Sequence, residues 1–194
     1  MITNRFGIPS ASPGAILREE KRAGSALGRE ADLLTSQGKM VSDEIVVSLV
    51  GNWLNNHDSE FIFDGFPRSL GQADALEREL AERITPLDVV LAFNAERSVL
   101  RQRVANRVVC SGCGKTLAVG LHVANASVPC PACGASLVKR TDDTPETLLA
   151  RLEEYSEKTS PLIGYYESRG LLQRVNAAEP PEVVFASIAA ILES

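Results

Sequence analysis

Phe61-Ile62-Phe63-Asp64-Gly65-Phe66-Pro67-Arg68 is the stretch on which the reading of the fold turns. Three apolar β-formers lead into a carboxylate, then a glycine, a proline and an arginine. A short apolar run bounded by turn residues reads as a fully buried strand of a parallel sheet. In open α/β sheets, ligands lie in the crevice beyond the carboxyl ends of the strands. Asp64 and Arg68 therefore fall on the ligand side, the first suited to a hydrated Mg2+ and the second to a phosphate. The planar guanidinium fork pairs with phosphate oxygens two at a time, which an ammonium cannot do. The stretch fits equally well a buried strand that runs into a surface turn carrying an incidental arginine.

Upstream, residues 6–14 (FGIPSASPG) hold two prolines and two glycines and read as a loop leading into a helix. Helices are predicted over 15–22, closed by Gly24, and over 26–36, closed by Gly38. Ser42 and Asp43 supply N-cap chemistry for a third over 44–55. Short helices with glycine stops suggest a small lobe beside the main sheet. Downstream, an amphipathic helix over 70–81 precedes a second buried strand at 88–93 and a helix over 95–106. This alternation points to an α/β layered core with a parallel sheet. Residues 107–139 interrupt it with four cysteines and little helical period. Thr144 then caps a long helix with Pro145 in its first position, where a missing N–H costs nothing. That helix is expected to reach Thr159 and resume after Pro161. A short strand at 171–175 and a helix over 183–192, introduced by Pro180-Pro181, complete the chain. The core is thus assigned to 1–11, 42–106 and 140–194, with inserts at 12–41 and 107–139.

The net charge of −5 excludes a general nucleic-acid binder, which would be basic overall. No apolar segment is long enough to span a membrane, and residues 1–12 lack the apolar centre of a secretory signal. A cytoplasmic location follows as the expectation.

Cys110-Ser-Gly-Cys113-Gly and Cys130-Pro-Ala-Cys133-Gly are two C-x2-C-G knuckles separated by 16 residues. Such spacing matches a structural zinc site, in which four thiolates close the coordination shell and leave no place for water. Two disulfides would need an oxidising compartment that nothing else in the sequence indicates. Zinc ribbons often serve nucleic-acid binding. Here, however, the connection at 114–129 has one lysine and no arginine, phenylalanine, tyrosine or tryptophan, so it offers no stacking platform. The segment reads as a stiffened flap.

Arginines frame that flap: Arg103 and Arg107 before it, four apart and so on one helix face, then Arg140 and Arg151 after it. Each alone reads as a solvated helix residue. Together, around a hinged insert, they suggest a clamp on polyphosphate. At this point the chain resembles the adenylate kinases, the nucleoside monophosphate kinase family, of the type with a zinc-bearing lid. The matching strings are FGIPSASPGAILR (6–18), GKMVSDEIV (38–46), DGFPRSLGQA (64–73), RQRVANRVVC (101–110), VKRTDDTPETLLARL (138–152) and TSPLIGYY (159–166). The resemblance implies a P-loop-NTPase-like three-layer parallel-sheet core, with a helical monophosphate-binding insert and a zinc-ribbon lid insert.

It also implies roles. Arg18 and Arg68 would hold the AMP phosphate, and Gln72 would read the adenine edge. Backbone around Lys39 to Val41, with Gly65, would line the same pocket. Arg103 would pack against the ATP base, with the loop carrying Glu179 contributing backbone groups. Arg107, Arg140 and Arg151 would converge on the transferring phosphoryl group, Arg140 and Arg151 touching AMP as well. Asp64 would hold the Mg2+ water shell, while Asp142 and Asp143 join lid to core. The implied reaction is in-line transfer from ATP·Mg to AMP, giving two ADP, by a monomer without nucleic-acid or membrane partners. Positioning and charge stabilisation carry such a transfer, and inserts that close over it keep water out.

Two departures from the family pattern stand out. The family carries an apolar strand and a phosphate loop, G-x-x-x-x-G-K-[ST], ahead of the region aligned with residues 1–5. Gly114-Lys115-Thr116 echoes it, but inside a zinc knuckle, with no buried strand before it, and is taken as chance. The expectation is a misplaced start rather than an inactive truncated copy, with little turnover by the chain as written. Second, Ser12-Pro13-Gly14-Ala15 stands where the family has Ser-Thr-Gly-Asp, removing a hydroxyl and a carboxylate near the base. UMP/CMP kinases also lack that threonine but carry Asn where this chain has Gln72, so adenine stays ahead. A degenerate nucleotide-binding paralogue without turnover is the remaining alternative.

Overall fold

The computed structural model describes residues 2–36, 41–57, 60–140 and 143–193. The elements run α1 (Ile2–Phe6), β1 (Ser10–Ala11), α2 (Pro13–Ala23), α3 (Ala26–Ser36), α4 (Asp43–Leu54), β2 (Ile62–Phe63) and α5 (Leu70–Glu82). They continue with β3 (Val90–Asn94), α6 (Arg97–Asn106), β4 (Arg107–Cys110), β5 (Thr116–Ala118), β6 (Leu137–Val138) and α7 (Pro145–Glu154). A π-turn (Tyr155–Thr159), α8 (Pro161–Glu167), β7 (Leu172–Asn176) and α9 (Pro181–Leu192) close the chain.

Helix starts follow local chemistry. Ser12, Ser42, Ser69 and Thr144 each accept a hydrogen bond through the side-chain oxygen from an N–H of the first turn. A hydroxyl in that position satisfies one of the orphan donors of a helix start, for about 1 kcal/mol. At Pro161, where a break was expected, the helical path continues. The Ser160 N–H reaches back five residues to the Tyr155 carbonyl at 2.8 Å. Widening the turn accommodates a proline that has no N–H and whose ring would strike the preceding turn.

The sheet departs from expectation in two ways. The presumed loop at 6–14 contains β1, which pairs in parallel with β2 in the register Ser10↔Ile62 and Ala11↔Phe63. Pairing 52 residues away leaves no local trace in a two-residue strand set among prolines. Nor is there one continuous sheet among the described residues. β1–β2 forms one parallel pair and β3–β7 another, and β2 is half-buried rather than fully covered. Phe93, one residue before the end of β3, is exposed. Residues 107–138 form a separate antiparallel sheet in the order β5-β4-β6.

Three apolar clusters lie among the described residues. The largest joins β1 and α2 to α5 through Ala11, Ile16, Ala31, Leu49, Leu54, Phe66 and Leu76. The ribbon has its own, made of Val108, Leu117, Leu137 and two cysteines. Ala73, Leu162 and Tyr166 tie α5 to α8.

Candidate active site

The carboxyl ends of β1 and β2 lie side by side, since the Asp64 N–H donates to the Ala11 carbonyl at 2.8 Å. Ser12 therefore opens α2 beside the turn that carries Asp64 and Gly65. Gly65 has φ of +71°, a left-handed conformation that favours glycine. A Cβ there would also lie 2.9 Å from a terminal nitrogen of Arg68. The Phe66–Pro67 peptide is cis.

Arg68 is held at three points. Its N–H donates to Gln72 Oε1 at 2.7 Å, its carbonyl accepts from the Thr159 hydroxyl at 3.0 Å, and its Nε donates to the Gly65 carbonyl at 2.8 Å. The terminal guanidinium nitrogens make no hydrogen bond among the described residues, and the residue is exposed. A carbonyl orients the fork without neutralising it, so two parallel donors stay available to an oxyanion. Asp64 and Arg18 are exposed as well. Gln72 is buried, its amide engaged at both ends: Oε1 by Arg68, Nε2 by Asp43 Oδ1 at 2.6 Å. Val41 packs against the largest apolar cluster. Lys39 and Asp142 lie outside the described residues.

A second group forms beyond β3 and β7. Their paired strands end at Asn94 and Asn176, and the Ala177 N–H continues the ladder to the Asn94 carbonyl. The turn that follows is pinned by Asn176, whose side chain accepts from the Ala178 N–H and donates to Glu179 Oε1. Arg103 reaches this turn, with a terminal nitrogen 3.5 Å from the Glu179 carbonyl. Arg103 and the turn at Glu179, each assigned to the ATP-base side by the resemblance, are thus neighbours.

Arg107 stands differently. Its Nε donates to Asp143 Oδ2 at 2.7 Å, and a terminal nitrogen pairs with the other carboxylate oxygen. The Asp143 side chain is only 2% exposed, so this bidentate pair ties the first strand of the ribbon to the start of α7. Arg140 and Arg151 are both exposed and both engaged in other interactions.

In the ribbon, the sulfurs of Cys110, Cys113, Cys130 and Cys133 all lie within 4.8 Å of one another. The Cys110–Cys133 and Cys113–Cys130 separations are 3.3 and 3.8 Å. Four thiolates at about 2.3 Å from zinc would form a tetrahedron with edges of about 3.8 Å, so the set fits that ion. The Cys113 N–H donates to Cys110 Sγ and draws that thiol down to about 6, against the effect of burial. On Cys113 the Lys115 N–H acts in the same sense, but the Cys110 and Cys133 sulfurs outweigh it and push the group up to about 11. Cys110 and Cys113 are thus pushed in opposite directions by their neighbours, a competition for negative charge that a divalent cation relieves.

A family profile described as "Adenylate kinase" matches residues 1–171. The chain belongs to the adenylate kinase family. It is 38% identical to an adenylate kinase of Thermodesulfovibrio yellowstonii over 99% of its length and 90% of that protein's. It is 40% identical to one from Rhizobium etli over 98% and 90%. To one from Methanosarcina acetivorans it is 38% identical over 96% and 87%. The adenylate kinases are phosphotransferases, and the arginines carried over from the resemblance sit within the matched region.

Sequence reasoning missed two supports of the Arg68 turn. Thr159, which fixes the Arg68 carbonyl, lies 91 residues away with no local signal. In the sequence Asp43 reads only as part of a helix start, although its carboxylate reaches Ser69 and Gln72 at the start of α5. The spacing Ser69-x-x-Gln72 is that of a capping box, the one hint that the Gln72 amide is also tied to the scaffold.

Proposed function

We infer that this chain catalyses reversible phosphoryl transfer from Mg·ATP to AMP, yielding two ADP. The observation that carries the reading is Arg68, oriented through backbone groups beside Asp64, its terminal nitrogens without a hydrogen-bond partner among the described residues. Arg68 and Arg18 hold the AMP phosphate, Gln72 meets the base, and Gly65 with the backbone near Lys39 and Val41 lines the pocket. Arg103 and the turn at Glu179 receive the ATP base. Arg107, Arg140 and Arg151 meet the migrating phosphoryl group, where cations that need no reorganisation lower the barrier most. The magnesium arrives with ATP as substrate, and Asp64 accepts hydrogen bonds from its water shell. Cys110, Cys113, Cys130 and Cys133 hold a structural zinc that shapes the ribbon.

The division into a core (1–11, 42–106, 140–194), a monophosphate lobe (12–41) and a lid (107–139) belongs to the same proposal. The separate apolar cluster of the ribbon supports the last boundary. A monomer acting in the cytoplasm is the simplest setting; no helix among the described residues is long and apolar enough to cross a membrane.

These 194 residues contain no G-x-x-x-x-G-K-[ST] pattern. The half-buried β2 and the exposed Phe93 support placing the family's additional strand between β2 and β3, its loop cradling the ATP phosphates. ADP formation from ATP and AMP tests this. The 194-residue chain is expected to turn over slowly or not at all. The same chain preceded by an apolar strand and a phosphate loop is expected to turn over, and to lose that activity with Arg68→Ala. An extended, folded protein that makes no ADP would refute the proposed function.

A further inference from the structure

Gln72 is buried, and its amide is held in one sense only. Nε2 donates to Asp43 Oδ1 at 2.6 Å, and Oε1 accepts from the Arg68 N–H at 2.7 Å. The other oxygen of Asp43 accepts from the Ser69 hydroxyl at 2.8 Å, and that hydroxyl accepts from the Gln72 N–H at 3.2 Å. A carboxylate only accepts and a backbone N–H only donates. Turning the amide over would set oxygen against carboxylate and NH2 against N–H, losing both bonds in a buried place. Asp43, on the first turn of α4, thus fixes the polarity of a side chain on the first turn of α5.

We propose that Asp43 is a specificity-positioning residue: by locking the Gln72 amide in one orientation, it makes the site select bases with an amino face over bases with a keto face. The proposal rests on the AMP-site reading above. Each end of an amide has two hydrogen-bonding positions, and the lock consumes one at each end. The remaining N–H and carbonyl lone pair make a donor–acceptor edge of fixed sense. Adenine presents a ring-nitrogen acceptor beside an amino donor and matches it. Hypoxanthine, otherwise the same size, presents a ring N–H beside a carbonyl and meets it donor to donor and acceptor to acceptor. With the phosphate anchored at Arg68, the base cannot turn over to escape the mismatch.

Calorimetric titration of AMP and IMP into the 194-residue chain tests this, because it reads binding without turnover. The unmodified chain is expected to favour AMP by roughly 10- to 100-fold, the discrimination of one good bidentate pair. Asp43→Asn keeps the shape but can offer Gln72 either a carbonyl or an NH2. It is expected to bring the AMP:IMP ratio to within about 3-fold, as the lost orientation removes most of that discrimination. Asp43→Ala, which leaves Nε2 without its acceptor, provides a second route to the same ratio if the first variant does not fold. A merely structural role would weaken AMP and IMP alike and leave the ratio unchanged, which would overturn the proposal. An unmodified chain that binds AMP and IMP equally would overturn it too. If it binds neither, the AMP-site reading itself fails and this inference falls with it.

Discussion

Arg68 and Arg107 are both fixed through Nε, but by opposite partners. Arg68 is anchored by a backbone carbonyl and keeps its positive charge for a ligand. Arg107 is clasped by a buried carboxylate, so its charge is already answered. A neutral anchor orients a cation at no electrostatic cost to its next partner. A charged anchor must be shared or exchanged before the same arginine can serve a phosphate. On the proposed function, the Arg68 side is preorganised for a phosphate, whereas Arg107 at the base of the ribbon must exchange a partner to serve one. The contrast is sharper because the ribbon has only a small apolar cluster of its own, so the proposed zinc would carry much of its shape.

The largest effect expected is on the ribbon. Stripping zinc from the zinc-loaded chain with a chelator should unfold residues 107–139 locally, because structural zinc contributes on the order of 10 kcal/mol to such modules. Hydrogen exchange should then accelerate at Val108, Leu117 and Leu137 while α4 and α5 stay protected. Equal protection in both regions would contradict the contrast.

Arg68→Ala in an active, extended protein should lower kcat/KM for AMP about 10²–10³-fold, the cost of losing one charge-stabilising donor group. Its unfolding free energy should change little, because the residue is exposed. Arg107→Ala should lower stability as well as turnover. It strands the buried Asp143 carboxylate and should cost about 3 kcal/mol of stability, readable by denaturant unfolding. If Arg68→Ala proved the more destabilising of the two, the distinction would collapse.

The smallest effect concerns Tyr166. Its hydroxyl is buried without a hydrogen-bond partner among the described residues. Tyr166→Phe should be neutral or stabilising by up to about 1 kcal/mol. Burial, with Glu77 nearby, pushes this phenol up to about 12 from an ordinary 10. The folded state keeps the proton longer than the unfolded chain, so the contribution is whole below pH 10 and is lost as pH rises towards 12. Thermal melts across that window should decline less steeply in the phenylalanine variant.

The legible parts of this molecule were those written in neighbouring residues. Ser42 and Thr144 begin their helices where cap chemistry places them, and the two cysteine knuckles converge as their spacing requires. β1 was illegible because a two-residue strand has no periodicity, and its only reason for existing lies across the sheet at Ile62 and Phe63. The division of the sheet into two pairs could not be seen from strands that each read as buried. Within the site, residue types and order pointed to Arg68, Arg103 and Arg107, but not to their different anchors. Asp143 and Asp43 act across 36 and 29 residues, and no local pattern records which carboxylate faces which cation or amide.

The most direct test of the central claim is an AMP titration of the 194-residue chain followed through its backbone amide resonances. Saturable shifts are predicted at Gly14, Gly65, Arg68 and Gln72, with the ribbon unmoved and the response abolished by Arg68→Ala. Shifts that persist in Arg68→Ala, or a chain that does not respond to millimolar AMP, would contradict a preorganised monophosphate site.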